Sequence, residues 1–167
     1  MVFISPLTIE SLEERVSLLN DERISPFLNV NEHFTLEKTL QWFKTRNLKS
    51  RFDCIFLDNT GEKIGYGGLT GISERNQNAE LYMYISPVHQ GKGFGFESLI
   101  ELCKYGFNVL FLHKIYLYTF YSNERANRMY EKAGFVREGY LREHTLKDGT
   151  LCDRCLYGLL KSEFSYI

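Results

Sequence analysis

The sequence has no excess of either charge, no apolar run long enough to cross a bilayer and no second cysteine pair to complete a metal site. Its 20 Lys and Arg face 21 Asp and Glu, a formal net charge of -1, and the pI is about 6.4. A nucleic-acid binder advertises itself by a basic patch or stripe, so that class is disfavoured. No apolar stretch approaches the ~20 residues of a membrane helix. The first residues lack a basic region followed by an apolar one, so no secretory signal is read and a cytoplasmic protein is expected. Four cysteines occur, Cys54, Cys103, Cys152 and Cys155. A C-x-x-C pair such as 152 and 155 can hold zinc or do redox chemistry. Here it lies in a segment that reads as a strand, where residues three apart point to opposite faces. Free structural thiols and no metal are therefore expected. No repeat, low-complexity tract or linker divides the chain. Residues 1–167 are read as one domain, with oligomeric state left open.

What is present is a globular composition, 44% hydrophobic and 25% charged, which excludes a disordered chain. Acidic residues gather near the start: Glu10, Glu13, Glu14, Asp21, Glu22 and Glu32 against Arg15 and Arg23. Such a patch can draw in a cationic substrate, or it can be a solvated helix face. Residues 2–5 can form a strand that Pro6 ends, and Thr8 can cap a helix reaching about Asn20. Residues 21–34 read as a loop. Residues 35–44 read as a helix with Leu36, Leu40 and Phe43 on one side. Strands follow at 52–57, 63–69 and 79–85, the first two joined by the turn Asp58-Asn59-Thr60-Gly61. Phe96, Leu99, Ile100, Cys103, Phe107 and Leu110 share one helical face. After a strand at 114–121, Asn123 can cap a short helix carrying Ala126, Met129, Tyr130 and Ala133 on one face, ended by Gly134. Strands at 135–142 and 151–160 flank the turn Lys147-Asp148-Gly149. The order β-α-α-β-β-β-α-β-α-β-β predicts an α/β fold, a mixed, mostly antiparallel sheet flanked by helices. It does not predict a doubly wound nucleotide fold.

Between the strand at 79–85 and the helix after it lies Gln90-Gly91-Lys92-Gly93-Phe94-Gly95-Phe96. Glycines let a backbone approach a ligand and turn N–H groups toward it. A helix N-terminus adds unshared N–H donors and partial positive charge, so a pyrophosphate is the natural occupant, with Lys92 to neutralise it. The P-loop pattern fails because Gly93 follows Lys92. The dinucleotide pattern Gly-x-Gly-x-x-Gly fails because Phe96 or Ser98 stands at its last position. A strand-helix turn with no ligand stays open on this loop alone.

Gln90-x-x-Gly93-x-Gly95 resembles the Q/R-x-x-G-x-G/A signature of the GNAT N-acetyltransferases, which binds the CoA pyrophosphate. Tyr84-Ile85-Ser86-Pro87 is similar to that family's fourth strand. Asn123-x-x-Ala126-x-x-x-Tyr130-Glu131-Lys132-x-Gly134-Phe135 is similar to its second cofactor motif. The stretch Glu138-Gly139-Tyr140-Leu141-Arg142-Glu143, on to Asp148-Gly149, resembles the branch with ribosomal-protein N-terminal, spermidine and amino-sugar acetyltransferases. The resemblance covers residues 79–164, and the first 78 carry no sharp motif. It implies a GNAT-like sheet, acetyl-CoA as cosubstrate, and main-chain contacts to the CoA arm from Met83, Tyr84 and Ile85, where a bulge splays the fourth strand from the fifth. It further implies a pyrophosphate loop at Gln90, Gly91, Lys92, Gly93, Phe94, Gly95 and Phe96, and polar contacts from Asn123 and Asn127.

Acetyl transfer to an amine needs a neutral nucleophile, a stabilised oxyanion and an acid for the departing thiolate. The resemblance puts Tyr130 beside the CoA sulfur as candidate acid. Spacing alone also allows a core aromatic. Glu80 is the candidate base, on one strand face with Tyr82 and Tyr84. It can equally be a surface carboxylate. His89 is the weaker alternative, nearer the phosphates than the thioester. The expected acceptor is a small-molecule primary amine, a polyamine or a nucleotide-linked amino sugar. Acetylation of a protein N-terminus and a non-catalytic CoA sensor stay open.

Overall fold

The computed structural model of the chain describes residues 1–166. The elements are β1 (Phe3–Pro6), α1 (Leu12–Leu19), α2 (Leu36–Thr45), β2 (Arg51–Leu57), β3 (Lys63–Ser73), β4 (Asn78–Ile85), α3 (Phe94–Lys104), β5 (Lys114–Phe120), α4 (Glu124–Lys132), β6 (Val136–Lys147) and β7 (Thr150–Leu160). This is the expected order, and the strands form one sheet, β1-β2-β3-β4-β5-β7-β6. Every neighbouring pair is antiparallel except β4 with β5. That pair is joined through α3, as a parallel crossover requires.

The two faces of the sheet bury different layers. Alternation along β4 puts Ala79, Leu81 and Ile85 against α3, with the fully buried Leu99 and Leu102. Tyr82 and Tyr84 face the other way, toward Leu12 and Leu19 of α1 and the α2 side chains Leu40, Trp42 and Phe43. Close approach of β3 to β4 needs glycine. A Cβ on Gly67 would meet Phe56 Cζ at 2.6 Å and the Tyr82 carbonyl at 2.8 Å. Among the described residues no helix is long and apolar enough to cross a membrane.

Local chemistry corrects several boundaries. The Thr8 side chain caps nothing. A 3-10 turn, Ile9–Ser11, intervenes before α1, and Ser11 Oγ donates back to the Thr8 carbonyl at 2.7 Å. Thr35 does cap α2, accepting from Lys38 N at 3.3 Å. α3 passes into a π-helical turn over Tyr105–Val109. β6 runs on to Lys147, with a register irregularity between Leu141 and Thr145. Asp148 and Gly149 both have positive φ, 49° and 80°, the geometry of a two-residue type I′ hairpin turn. The four cysteines are free. Among the described residues no group of three or more His, Cys, Asp or Glu is arranged to hold a metal.

Candidate active site

The parallel pairing of β4 with β5 is short. It joins Asn78, Ala79 and Glu80 to Lys114, Ile115 and Tyr116 and then ends. Beyond Glu80, β4 stays paired only to β3, through Ile85. The β5-side edge of Leu81 to Ile85 therefore carries main-chain groups without a strand partner. The register irregularity beside this region is in β3, between Thr70 and Ser73. The splay opens a passage between the two faces of the sheet at its centre.

The glycine loop stands at one end of that passage. Gly91 and Gly93 have φ of 78° and 87°, and Gly93 is the N-cap of α3. An added Cβ would find open space at either, so backbone conformation, and not crowding, calls for glycine. At Gly95 a Cβ would lie 3.3 Å from Met129 Sδ, so α3 and α4 meet there. The N–H groups of Phe96 and Glu97 turn back to the Gly93 carbonyl at 3.1 and 3.2 Å. Those of the preceding loop belong to the unshared set of a helix start. Gly91, Lys92 and Gly93 are exposed, whereas Phe94 and Phe96 are half-buried, Phe94 edge-on to His89. The Gln90 side chain is engaged within the protein: it donates to the Ile85 carbonyl at 3.0 Å and accepts from Arg125 at 3.1 Å. It thereby ties the loop to β4 and α4. His89 Nε2 lies 3.2 Å from Glu62, off the passage.

α4 stands at the opposite wall. Asn123 caps it, accepting from Ala126 N at 3.3 Å. Asn127 Nδ2 donates to the Tyr121 carbonyl at 3.0 Å, while its Oδ1 is buried without a partner. At the far end, Gly134 N–H reaches the Glu131 carbonyl and Phe135 N–H the Tyr130 carbonyl, at 3.1 and 3.0 Å. This is a Schellman ending, with Gly134 at φ 97°. It sets the Tyr130 ring edge-on to Phe135, centroids 5.9 Å apart, with Tyr157 tilted against it at 6.0 Å. Tyr130 is 8% exposed. Burial, with Cys103 nearby, pushes its hydroxyl up to about 12.

Glu80 closes the paired end of β4 and projects to the α1/α2 face, opposite to Tyr130. Burial raises its carboxyl above the ordinary range, and the Arg154 guanidinium partly offsets this. Arg154, buried on β7, lies over the Phe120 ring at 4.8 Å and donates to Thr145 at 3.3 Å. Tyr118 and His144 stack near the same mouth, 6.3 Å apart. Alternation along β4 thus turns Glu80 to the α1/α2 face, whereas Tyr130 packs in the core on the α3/α4 face.

The profile of the Acetyltransferase (GNAT) domain family matches residues 2–136. The chain belongs to the GNAT acetyltransferase family. It is an acetyl-CoA-dependent N-acetyltransferase. It is similar to the spermidine N(1)-acetyltransferase of Vibrio cholerae, at 31% identity over 140 residues, 80% of this chain and 81% of that one. It is also similar to the spermidine N(1)-acetyltransferase of Escherichia coli K12, 41% identical over 78 residues, 47% of this chain and 42% of that one. The crystal structure of the Vibrio cholerae enzyme in complex with CoA and spermine superposes with a TM-score of 0.92, at 28% identity, covering 97% of this chain and 96% of that one. The expected GNAT sheet is the observed one.

A second group of polar residues beside this GNAT cleft is absent from the sequence reading. Asp53 accepts from Arg51 Nε and Nη2, each at 2.8 Å, and from the Tyr82 hydroxyl at 2.5 Å, and lies 3.5 Å from Arg46 Nε. Its signal was available: Arg51-x-Asp53 on a strand shares one face. The acidic residues near the start divide otherwise. Glu10, Glu13, Glu14 and Glu22 are exposed, with Glu14 paired to Lys63 at 3.0 Å and Asp21 to Arg23 at 2.7 Å. They form a solvated, partly neutralised face. Arg15 does not pair with them but turns inward over Trp42.

Proposed function

We propose that this chain transfers the acetyl group of acetyl-CoA to the primary amine of a small molecule, across the opening between β4 and β5. The observation that carries the proposal is that opening, with Glu80 on one face of the sheet and Tyr130 on the other. The residues present suit the cosubstrate. The unpaired edge offers the main-chain groups of Met83 and the Ile85 N–H to an amide-bearing arm, in the manner of an added strand, whereas the Tyr84 carbonyl turns to Gly65 of β3 and the Ile85 carbonyl is taken by Gln90. Unshared N–H groups within Gln90 to Phe96, with the Lys92 ammonium, suit the diphosphate. Asn127 Oδ1, buried without a partner, and Asn123 Nδ2, whose amide oxygen caps α4, suit the arm's polar groups.

Bound acetyl-CoA supplies an activated acyl group on a good leaving sulfur. Glu80 takes the proton that an incoming ammonium must lose, directly or through one water. Its raised carboxyl is better matched to that task than an ordinary one. A main-chain N–H of the β4 edge polarises the acyl carbonyl. Tyr130 gives its proton to the departing thiolate. A hydroxyl held near 12 stays protonated at neutral pH and is available to donate. The two groups approach from opposite faces, so acid and base do not quench each other.

The likeness to spermidine acetyltransferases makes a polyamine the first acceptor to consider. A nucleotide-linked amino sugar is the second reading, favoured by the buried Arg15 and the partly buried Arg46 and Arg51 gathered about the one carboxylate Asp53. An amine panel tests the proposal by free-thiol release from acetyl-CoA: spermidine, spermine, a uridine-diphosphate amino sugar and a peptide with a free N-terminus. Turnover is expected with at least one small amine and not with the peptide. Turnover with the peptide alone, or with none, overturns it.

A further inference from the structure

On the α1/α2 face, charge and burial are out of balance at one place. Arg15 is 8% exposed, its guanidinium lies 4.7 Å from the centre of the Trp42 ring, and its Nε has no hydrogen-bond partner. Arg51 lies over the same ring at 4.9 Å, and Arg46 over Phe43 at 3.6 Å. One carboxylate serves all three, that of Asp53, whose side chain is 1% exposed and which pairs with Arg51 and Arg46. The three guanidinium groups share that one carboxylate, supplemented by the Tyr82 and Tyr84 hydroxyls and by aromatic faces, and Arg15 Nε is left without a hydrogen bond. Burying unpaired charge is strongly unfavourable unless something compensates it.

Space for a compensating group lies alongside. A cavity of about 320 Å³ is lined by Arg15, Arg51, Trp42, Thr35, Lys38 and Thr39 among others. Thr35 to Thr39 is the capped first turn of α2, which adds the partial positive charge of a helix start. Glu32, the carboxylate on its rim, is 3.6 Å from Lys38, so its charge is already answered. Arginine matches phosphate through paired N–H groups.

The cavity also stands at a usable distance from the reacting centre. Arg51 pairs with Thr70, and Thr70 with Glu80. Arg51 and Glu80 therefore share one face of the sheet, two strands apart, about 10 Å. We infer that this cavity holds an anionic group of the acceptor, the phosphate of a nucleotide-linked or phosphorylated amine, with Arg15 and Arg51 as its ligands. The inference rests on the acetyl-transfer reading of the cleft and names its substrate class. A polyamine would bring a second ammonium against Arg15 and Arg51. A sugar nucleotide presents its amine on one side of the ring and its diphosphate on the other.

Trp42 is the chain's one tryptophan, so intrinsic fluorescence reports this cavity. The protein, first saturated with CoA to fill the pyrophosphate loop, is titrated with a uridine-diphosphate amino sugar, uridine diphosphate, inorganic phosphate and spermidine. Saturable changes are expected with the first two, a weaker one with inorganic phosphate and none with spermidine. Arg15→Gln weakens nucleotide binding at least tenfold, and Arg15→Lys, which keeps the charge, recovers part of it. In turnover, the KM advantage of a phosphorylated acceptor over the same sugar without phosphate narrows at least tenfold in Arg15→Gln. The anion site is overturned if neither nucleotide nor phosphate changes the fluorescence, if Arg15→Gln binds like the parent, or if spermidine alone saturates. Amine turnover without anion binding sinks this inference and leaves the transferase reading standing. Anion binding through Arg15 with no amine turned over sinks the transferase reading and leaves the site.

Discussion

Tyr130→Phe separates the acid role of Tyr130 from a packing role, because it removes one oxygen and nothing else. The ring rests on Phe135 and Tyr157 at 5.9 and 6.0 Å, and phenylalanine keeps both contacts. The Schellman ending that fixes the ring is made by main-chain groups, so it survives. Stability should move by less than about 1 kcal/mol. The rate should fall by about 10² to 10⁴, which is ~2.7–5.4 kcal/mol of barrier. Acetyl-CoA affinity, read by calorimetry, should change far less, since the proton is needed only as the thiolate leaves. An acetyl donor with a more acidic thiol should recover much of the lost rate. The pH profile adds a check with a definite sign. Burial raises the phenol to about 12, so the donor form persists from about pH 6 to about pH 10. No alkaline fall in rate is due to Tyr130 within that window. Full activity in the variant refutes the acid role, as does an equal deficit with the acidic donor. An alkaline limb near neutral pH that vanishes in the variant would refute the burial argument.

Glu80→Gln should depress the rate most near neutral pH, where the amine is charged, and less as rising pH supplies free amine. A pH-independent deficit in the rate profile would mean that Glu80 binds the acceptor and does not deprotonate it. Gly93→Val forces a β-branched residue to φ 87° and sets a side chain where the loop meets phosphate. CoA binding by calorimetry should weaken by at least tenfold with the circular dichroism unchanged, and an unaltered affinity would remove the loop from the site. Asp53→Asn takes the one carboxylate from beneath Arg46 and Arg51 and should cost about 3–5 kcal/mol of stability. Urea unfolding would show it, and a loss under about 1 kcal/mol would mean that the arginines are already compensated.

How far the sequence was legible follows from where backbone and side chain divide the work. Gly91, Gly93, Gly134 and Asn123 announced themselves because positive φ and capping admit few residues. The helix ends they make place the loop and Tyr130. Strands were readable by alternation, though β3 runs to Ser73 and β6 to Lys147. Those extensions are held by partner strands, which local pattern does not reveal. Thr8 misled because a good capping residue was overruled by a 3-10 turn with its own hydrogen bond from Ser11. Arg15 misled more instructively. In the chain it sits among Glu13, Glu14 and Asp21 and reads as their counterion. In space its guanidinium lies over Trp42, 27 positions on.

The contrast between the two faces of the sheet explains why the family is plain and the acceptor is not. On the α3/α4 face, the proposed cosubstrate contacts are main-chain groups, and main-chain geometry demands a particular spacing of glycine and caps. Such spacing is visible as a motif. On the α1/α2 face, the proposed acceptor contacts are side chains from α1, α2, β2 and β4, distant in sequence and joined only by register: Arg51 to Thr70 to Glu80. No spacing rule links Arg15 to Trp42 or Tyr82 to Asp53. Charge balance is the physical quantity that makes that face readable. A face built for a polycation would leave carboxylates short of partners. This one leaves Arg15 Nε without a hydrogen-bond partner, the imbalance on which the proposed anion site rests.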